Sequence, residues 1–194
     1  MIAGHYAAAF LPAAHKARGP FWLFLLASQI PEFLWLLFAI AGIEPTLPAS
    51  ILDATFDSIV VDMRFSHNLV PALFQAIITG VVVAIVFRNA VTALWSAALV
   101  VIHVLCDYVV GFSHQIMWYS SPSIGLNSYK TMPYVAIGIE LVFAWICLGY
   151  FYWKRKEDLP WSNRQWMILT LAFSAGILAW MPAARIPIRH WLGL

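Results

Sequence analysis

A histidine and an aspartate lie four residues apart in the stretch His103-Val104-Leu105-Cys106-Asp107, inside an apolar run over residues 90–112. On an α-helix this spacing places both side chains on one face, about 6 Å apart along the axis. Each costs roughly 3 kcal/mol or more inside a membrane, so ionisable residues retained there predict a functional site. Imidazole and carboxylate groups are ligands for zinc, manganese or iron. The pair therefore predicts part of a metal-binding centre.

Residues of the same types recur in other apolar segments, namely His5, Glu32, His67 and Glu140. Counting along each predicted helix from its outer end places Glu32, Glu140 and the His–Asp pair about 8 to 16 Å below the surface. His67 begins its helix at the surface, and His5 reaches the depth of Glu32 if the first segment folds back as a helical hairpin. Scattered structural residues have no reason to share a depth, so we expect these groups to form one centre.

The two glutamates have several open roles in such a centre. Two histidines with one or two carboxylates leave a position for water, and a bound metal lowers the pKa of that water towards roughly 7. Glu32 or Glu140 could then be a ligand, a group that orients a ligand, or a general base. Glu140 could instead pair with a histidine. His114, in the loop after the third span, could lie at the mouth of the site.

The composition indicates that an integral membrane protein positions these residues. Of the 194 residues, 62% are hydrophobic and 10% are charged, whereas a soluble domain carries about 25% charged residues. The net charge of +2 is spread along the chain without a basic block, which argues against a nucleic-acid partner. We expect residues 1–194 to form a single transmembrane domain, with membrane lipid as its surroundings.

The hydropathy pattern predicts an all-α polytopic bundle of five transmembrane helices, preceded by a short N-terminal helix over residues 1–14. The five spans are 21–43, 67–87, 90–112, 132–153 and 165–184. Pro31 lies beside Glu32 in the first span and predicts a kink there. The loop after that span carries four acidic residues, which we expect to face solvent, with Asp62 the exception because it lies near His67. These acids are Glu44, Asp53, Asp57 and Asp62.

The basic residues predict the orientation of the spans. Seven of the eleven lysines and arginines fall on one side of the predicted membrane. Loops richer in lysine and arginine face the cytoplasm. The metal centre is therefore expected towards the outer face of a membrane, and a bacterial inner (cytoplasmic) membrane is the expected location.

Four short sequence blocks resemble those of a family of bacterial and archaeal membrane-bound metal-dependent hydrolases, itself distantly similar to the zinc-dependent phospholipase C and nuclease superfamily. The blocks are Gly4-His5-Tyr6, Gln29-Ile30-Pro31-Glu32, Phe65-Ser66-His67-Asn68, and His103 to Asp107 followed by His114. Glu32 stands where the family usually has aspartate, and Asn68 where it usually has serine. The resemblance implies metal-site roles for five residues: His5, Glu32, His67, His103 and Asp107.

The leading hypothesis is a membrane-embedded hydrolase-like protein that binds a divalent metal, zinc in first place, and acts on a lipid or phosphoester. Glu32 is the candidate catalytic residue, as a ligand or a general base. Three other functions stay open. They are a non-catalytic subunit of a larger membrane complex that contacts partner helices, lipids or pigments; haem or pigment ligation by His67 and His103; and proton or ion transport through the buried carboxylates.

Overall fold

Helices make up most of the structure, a computed structural model that describes residues 3–193. In chain order the helices are α1 (Gly4–Ala8), α2 (Phe10–Ala14), α3 (Phe21–Ala27), α4 (Ile30–Ile40), α5 (Leu69–Phe87), α6 (Ala90–Val110), α7 (Ser128–Thr131), α8 (Pro133–Arg155), α9 (Asn163–Leu178) and α10 (Ile188–Leu192). Short 3-10 turns cover Ile51–Asp53 and Pro182–Ala184. Two-residue strands pair antiparallel in the loops: β1 (Thr46–Leu47) with β2 (Val60–Val61), and β3 (His114–Gln115) with β4 (Ser123–Ile124).

Four helical segments are long and apolar enough to cross a membrane: α5, α6, α8 and the stretch Asn163–Ala184 that begins with α9. Helices α3 and α4 together make a fifth candidate span, bent by 53° at the break between them. The prediction of an all-α polytopic bundle is therefore confirmed, and the first predicted span is two helices. The short helix expected at the N-terminus is likewise divided, into α1 and α2.

The break between α3 and α4 follows from Pro31. Proline has no backbone N–H and clashes with the preceding helical turn, so it fits the first turn of a helix and kinks or breaks a helix elsewhere. The structure places Pro31 at that position, with Ser28 ending α3 and Gln29 preceding α4. As a result the Ser28 carbonyl is outside the regular helical ladder and is available to a side chain from another helix.

Helices α5 and α6 form a tight antiparallel pair. Arg88 adopts the left-handed conformation at the end of α5, and Asn89 caps α6 by accepting the Thr92 N–H at 2.9 Å. Gly80 of α5 faces α6 so closely that a Cβ atom there would lie 3.3 Å from the Cβ of Ala97. This close packing fixes α6, which carries the His–Asp pair, relative to the segment that carries His67.

The first two helices do not form a simple hairpin with the first span. Helix α1 makes its principal contacts with α8 and α6, and α2 packs mainly on α8. A buried carboxylate ties α1 to α8: Glu140 Oε1 on α8 accepts the N–H groups of Ala3 and Gly4 at 2.8 and 2.7 Å. The first N–H groups of a helix have no partner within it, so an anion at this end stabilises α1.

We predict that Gly80→Leu lowers the free energy of unfolding by about 1–3 kcal/mol, the usual cost of overpacking a close contact. Reversible unfolding in mixed detergent and dodecyl sulfate micelles measures this change. The matched control is Gly138→Leu on α8, where a Cβ atom would meet nothing within 4 Å. Equal destabilisation by the two substitutions would contradict the close α5–α6 packing.

Candidate metal centre

Two histidines and two carboxylates from three parts of the chain meet at one point. Glu32 comes from α4, His67 from the turn before α5, and His103 and Asp107 from successive turns of α6. Each offers one ligand atom, and these four atoms lie within 4.8 Å of one another. His67, His103 and Asp107 are buried, while the Glu32 side chain keeps 29% of its surface exposed.

The distances among the donor atoms fit a single tetrahedral ion. His67 Nε2 lies 3.3 Å from His103 Nε2 and 3.3 Å from Asp107 Oδ2. His103 Nε2 lies 3.4 Å from the same oxygen. Bonds of the length usual for zinc place tetrahedral donor atoms about 3.3 Å apart. Glu32 Oε2 is farther away, at 3.7 and 3.8 Å from the two Nε2 atoms. Three donors therefore have the spacing of ligands, and Glu32 is the outermost member.

A backbone carbonyl fixes the tautomer of His103. Its Nδ1 lies 2.7 Å from the Ser28 carbonyl oxygen, which the break between α3 and α4 leaves accessible. A carbonyl oxygen can only accept, so Nδ1 carries the hydrogen and the neutral ring has its lone pair on Nε2. That lone pair is directed towards the other donor atoms.

A buried Glu–Ser pair fixes the tautomer of His67. Ser66 donates its hydroxyl to Glu44 Oε2 at 2.7 Å, and His67 Nδ1 lies 2.9 Å from the Ser66 oxygen. Because the Ser66 hydrogen is engaged by Glu44, its oxygen accepts from Nδ1–H. His67 therefore also has its lone pair on Nε2. Such hydrogen bonds behind a metal-binding histidine orient the ring and fix its tautomer.

Glu44 corrects the expectation that this loop acid faces solvent. It is fully buried, and its Oε1 also accepts the backbone N–H groups of Phe65 and Ser66. Burial of a carboxylate is offset by several such donors. Its partners lie 21 and 22 residues away across a loop, so no local sequence pattern indicates this role.

These two tautomers leave four acceptors pointing at one another: two imidazole nitrogens and two carboxylate oxygens. Acceptors at this separation repel unless a cation lies between them. The pKa of His67 reflects the same need for a positive charge among these atoms. Burial by itself lowers the pKa of His67, but hydrogen bonds and charge from Asp107 and Glu32 raise it to about 9. The donor set therefore suits a divalent metal ion.

His5 reaches the other side of the Asp107 carboxylate. Its Nε2 lies 3.4 Å from Asp107 Oδ1, and its ring centroid is 3.6 Å from that of His103. The side chain is buried, and within residues 3–193 neither ring nitrogen has a hydrogen-bond partner. The structure thus brings all five predicted metal residues together, with four in one donor set and His5 beside it. A ligand role for His5 stays a prediction.

Glu140 and His114 lie near the centre with different surroundings. Glu140 binds the start of α1 and accepts the Tyr129 hydroxyl at 3.0 Å, so it positions the helix that carries His5. The His114 ring stacks on His67, with centroids 5.5 Å apart. Burial lowers the pKa of His114 to about 3, which keeps this ring neutral at physiological pH.

Asp62 lies outside the donor set, although its position near His67 in the sequence made it the candidate among the loop acids. Arg64 binds it through Nε at 3.1 and 3.0 Å, and the Tyr119 hydroxyl donates to it at 2.6 Å. Burial raises the pKa of Asp62, but these donors outweigh burial and lower it. Asp62 is therefore an ionised partner of Arg64 in the loop.

An apolar cavity of about 200 Å³ adjoins the centre, and Glu32, Asp107 and His114 line its inner end. A ligand in this cavity would meet the donor set directly. Pockets of this kind, apolar with a few converging polar groups, are typical of small-molecule sites.

Comparisons with protein-family models, with curated proteins and with solved structures each gave no match.

We predict that Ser66→Ala and Glu44→Gln each lower metal affinity by about 10–100-fold, the usual effect of removing a group that orients a metal-binding histidine. Competition with a chelating dye measures the affinity. Ser96→Ala is the matched control, because Ser96 is equally buried but donates to the Thr92 carbonyl within α6. If all three variants bind metal as the parent protein does, the Glu44–Ser66–His67 chain does not support the centre.

Proposed function

We propose that this protein is a membrane-embedded, metal-dependent hydrolase-like protein acting on a lipid or phosphoester. The observation that carries the proposal is the convergence of four hydrogen-bond acceptors at the inner end of an apolar cavity. Metal ligands in the proposal are His67, His103 and Asp107, with zinc as the first candidate ion because imidazole and carboxylate donors at tetrahedral spacing suit it. The resemblance to membrane-bound metal-dependent hydrolases agrees with this assignment.

A divalent metal bound there would supply Lewis acidity and a water of lowered pKa. Glu32 is the group best placed to handle a proton, because it is the most exposed of the four, lies farthest from the two Nε2 atoms, and lines the cavity. In hydrolysis a water oxygen joins the acyl or phosphoryl group, the ester bond to the alcohol breaks, and a proton reaches the departing oxygen. Glu32 would hold that proton between the two events.

His5 is a further proposed metal ligand, and it lies beside the four-residue donor set. Its Nε2 faces the Asp107 oxygen that is turned away from the two other histidines. Its buried Nδ1 has no hydrogen-bond partner within the described chain, which is costly, and a ligand or ion nearby would offset this cost.

The proposed location is a bacterial inner membrane, with the centre towards the outer face. Support comes from the spans together with the excess of lysine and arginine on the opposite side. The substrate would then enter from the outer leaflet.

Haem ligation by His67 and His103 is disfavoured by the geometry. Axial ligands of one haem iron lie on opposite faces of the macrocycle. Here the two Nε2 atoms are 3.3 Å apart and share the neighbouring Asp107 oxygen. This arrangement leaves no room for a macrocycle between them.

Metal analysis and a visible spectrum of the detergent-purified protein test the proposal. We expect near-stoichiometric colourless metal in the wild type and its loss in the His103→Ala/Asp107→Ala double variant. His190→Ala, an exposed histidine of α10, is the control and should keep its metal. A folded wild-type protein without metal would instead favour a non-catalytic subunit of a membrane complex.

Glu32→Gln tests the role of the outermost carboxylate. As a general base, Glu32 should be needed for turnover but not for metal retention, so we expect hydrolysis in a lipid and phosphoester screen to fall by about 10²–10⁴-fold. Metal content is measured on the same samples, with the exposed Glu157→Gln as control. Loss of metal together with activity would make Glu32 a ligand and leave the base unassigned.

A further inference from the structure

The apolar cavity has the lining of a hydrocarbon-chain site. Beyond its polar inner end, its walls include Trp35 and Leu36 of α4, Ile59 of the loop, and Trp180 and Ile188 near the C-terminus. Leu36 both lines the cavity and is 42% exposed on the surface of α4. At this point one side chain both lines the cavity and reaches the exposed surface of the bundle.

The aromatic residues of the wall favour a flexible chain over a flat ring. Phe56 stacks on Tyr129 at 4.6 Å and on Trp180 at 6.3 Å between centroids. These ring faces are already engaged with one another, so a planar ligand has few faces left to stack on. An aliphatic chain needs only apolar contact, which the edges of these rings provide.

Trp35 adds an unpaired donor to the same wall. It is nine-tenths buried, and its indole N–H has no acceptor within the described part of the chain. It follows Glu32 by three residues on α4, so the two side chains are neighbours on one helix face. A ligand oxygen close to the metal centre would give this N–H an acceptor.

A second, polar cavity adjoins the first. Its volume is about 410 Å³, and it shares Val61, Met63 and His114 with the apolar cavity. Asn68 and Gln115 are among the polar residues that line it. The two cavities therefore meet at His114, next to the donor set, and one molecule could extend into both.

The charges in the polar cavity cancel. Its charged residues within the described chain are Asp62 and Arg64, which bind each other, and Tyr119 donates to the same carboxylate while its ring lies 4.4 Å from the Arg64 guanidinium. Arg64 has therefore no unbalanced charge to offer an anion. A polar group without net charge fits this cavity better than an anionic one.

We propose that the ligand of this site is an amphiphile whose aliphatic chain lies in the apolar cavity and whose net-neutral polar group lies in the polar cavity, with Asp62 setting the preference against anionic groups. This rests on the proposed function for the reaction, but binding alone can be tested without turnover. The junction between chain and polar group lies beside Glu32 and the indole of Trp35.

The experiment uses lysophosphatidylcholine and lysophosphatidic acid with the same acyl chain, each with a photoreactive group at the chain end, on the full-length protein in lipid nanodiscs. Crosslinks are mapped by peptide mass spectrometry. We expect labelling of residues that line the apolar cavity, and stronger labelling by the zwitterionic probe. Labelling confined to lipid-facing residues would overturn the proposal.

Cavity-filling variants sharpen the test. Ala183→Phe should lower labelling on the order of tenfold, because displacing even two methylene groups from an apolar site changes binding by this factor. Ala54→Phe fills the same cavity from another segment, in case the first variant folds poorly. Ala84→Phe on the exposed face of α5 is the control and should label as the wild type does. Equal labelling of all three variants would refute the chain site.

Asp62→Asn frees the Arg64 charge and should shift preference towards the anionic probe by about tenfold, equivalent to one charge-assisted hydrogen bond. Asp158→Asn, which removes a carboxylate paired with Lys16 elsewhere, is the control. An unchanged preference would remove Asp62 from the proposal.

The metal-free His103→Ala/Asp107→Ala variant separates chain binding from hydrolysis, since retained labelling supports chain binding even if hydrolysis fails. Conversely, normal hydrolysis of a water-soluble phosphoester by Ala183→Phe, together with no chain labelling in the wild type, would support the proposed hydrolase function and refute the chain site.

Discussion

The structure depends on one electrostatic constraint: four acceptor atoms are held close together inside a bundle with few charges. Both histidines present Nε2 lone pairs to the centre because their Nδ1 hydrogens are already engaged, one by the Ser28 carbonyl and one by Ser66. Two carboxylate oxygens complete the group. Such a cluster is tolerated only with a positive charge among its members. The hydrogen bonds that hold these atoms in place therefore indicate a cation site as much as the donor atoms do.

Several of those hydrogen bonds join a side chain to the backbone of another segment. Pro31 ends the helical ladder and leaves a carbonyl for His103. Gln75 of α5 reaches back to the carbonyls of Phe65 and Ser66 at 2.9 and 2.8 Å, which fixes the turn that carries His67. Glu140 holds α1 by its first N–H groups and so places His5. The centre is thus supported by three parts of the bundle through hydrogen bonds to the backbone.

The sequence alone predicts the parts of this arrangement that depend on short-range periodicity. Hydropathy predicts the spans, and the spacing of four residues puts His103 and Asp107 on one face, as observed. Depth counted along the predicted helices correctly places Glu32 with them. It could not identify Glu44, because the partners of Glu44 are across a loop, and it grouped Glu140 with the centre although that carboxylate binds backbone N–H groups. Contacts between distant segments carry no periodic signal, so such supporting roles emerge only from the fold.

The divided first span bears on how the protein enters the bilayer during synthesis. Helices α3 and α4, of 7 and 11 residues, are each too short to cross a hydrocarbon layer of about 30 Å. The pair also carries Glu32, whose neighbours are His67 and His103, and the open Ser28 carbonyl, whose partner His103 is made only when α6 follows. By contrast, α5 and α6 are joined by a short connection and pack on each other directly. The α5–α6 hairpin therefore completes the earlier segment, and the final position of the first span depends on a residue 75 positions after Ser28.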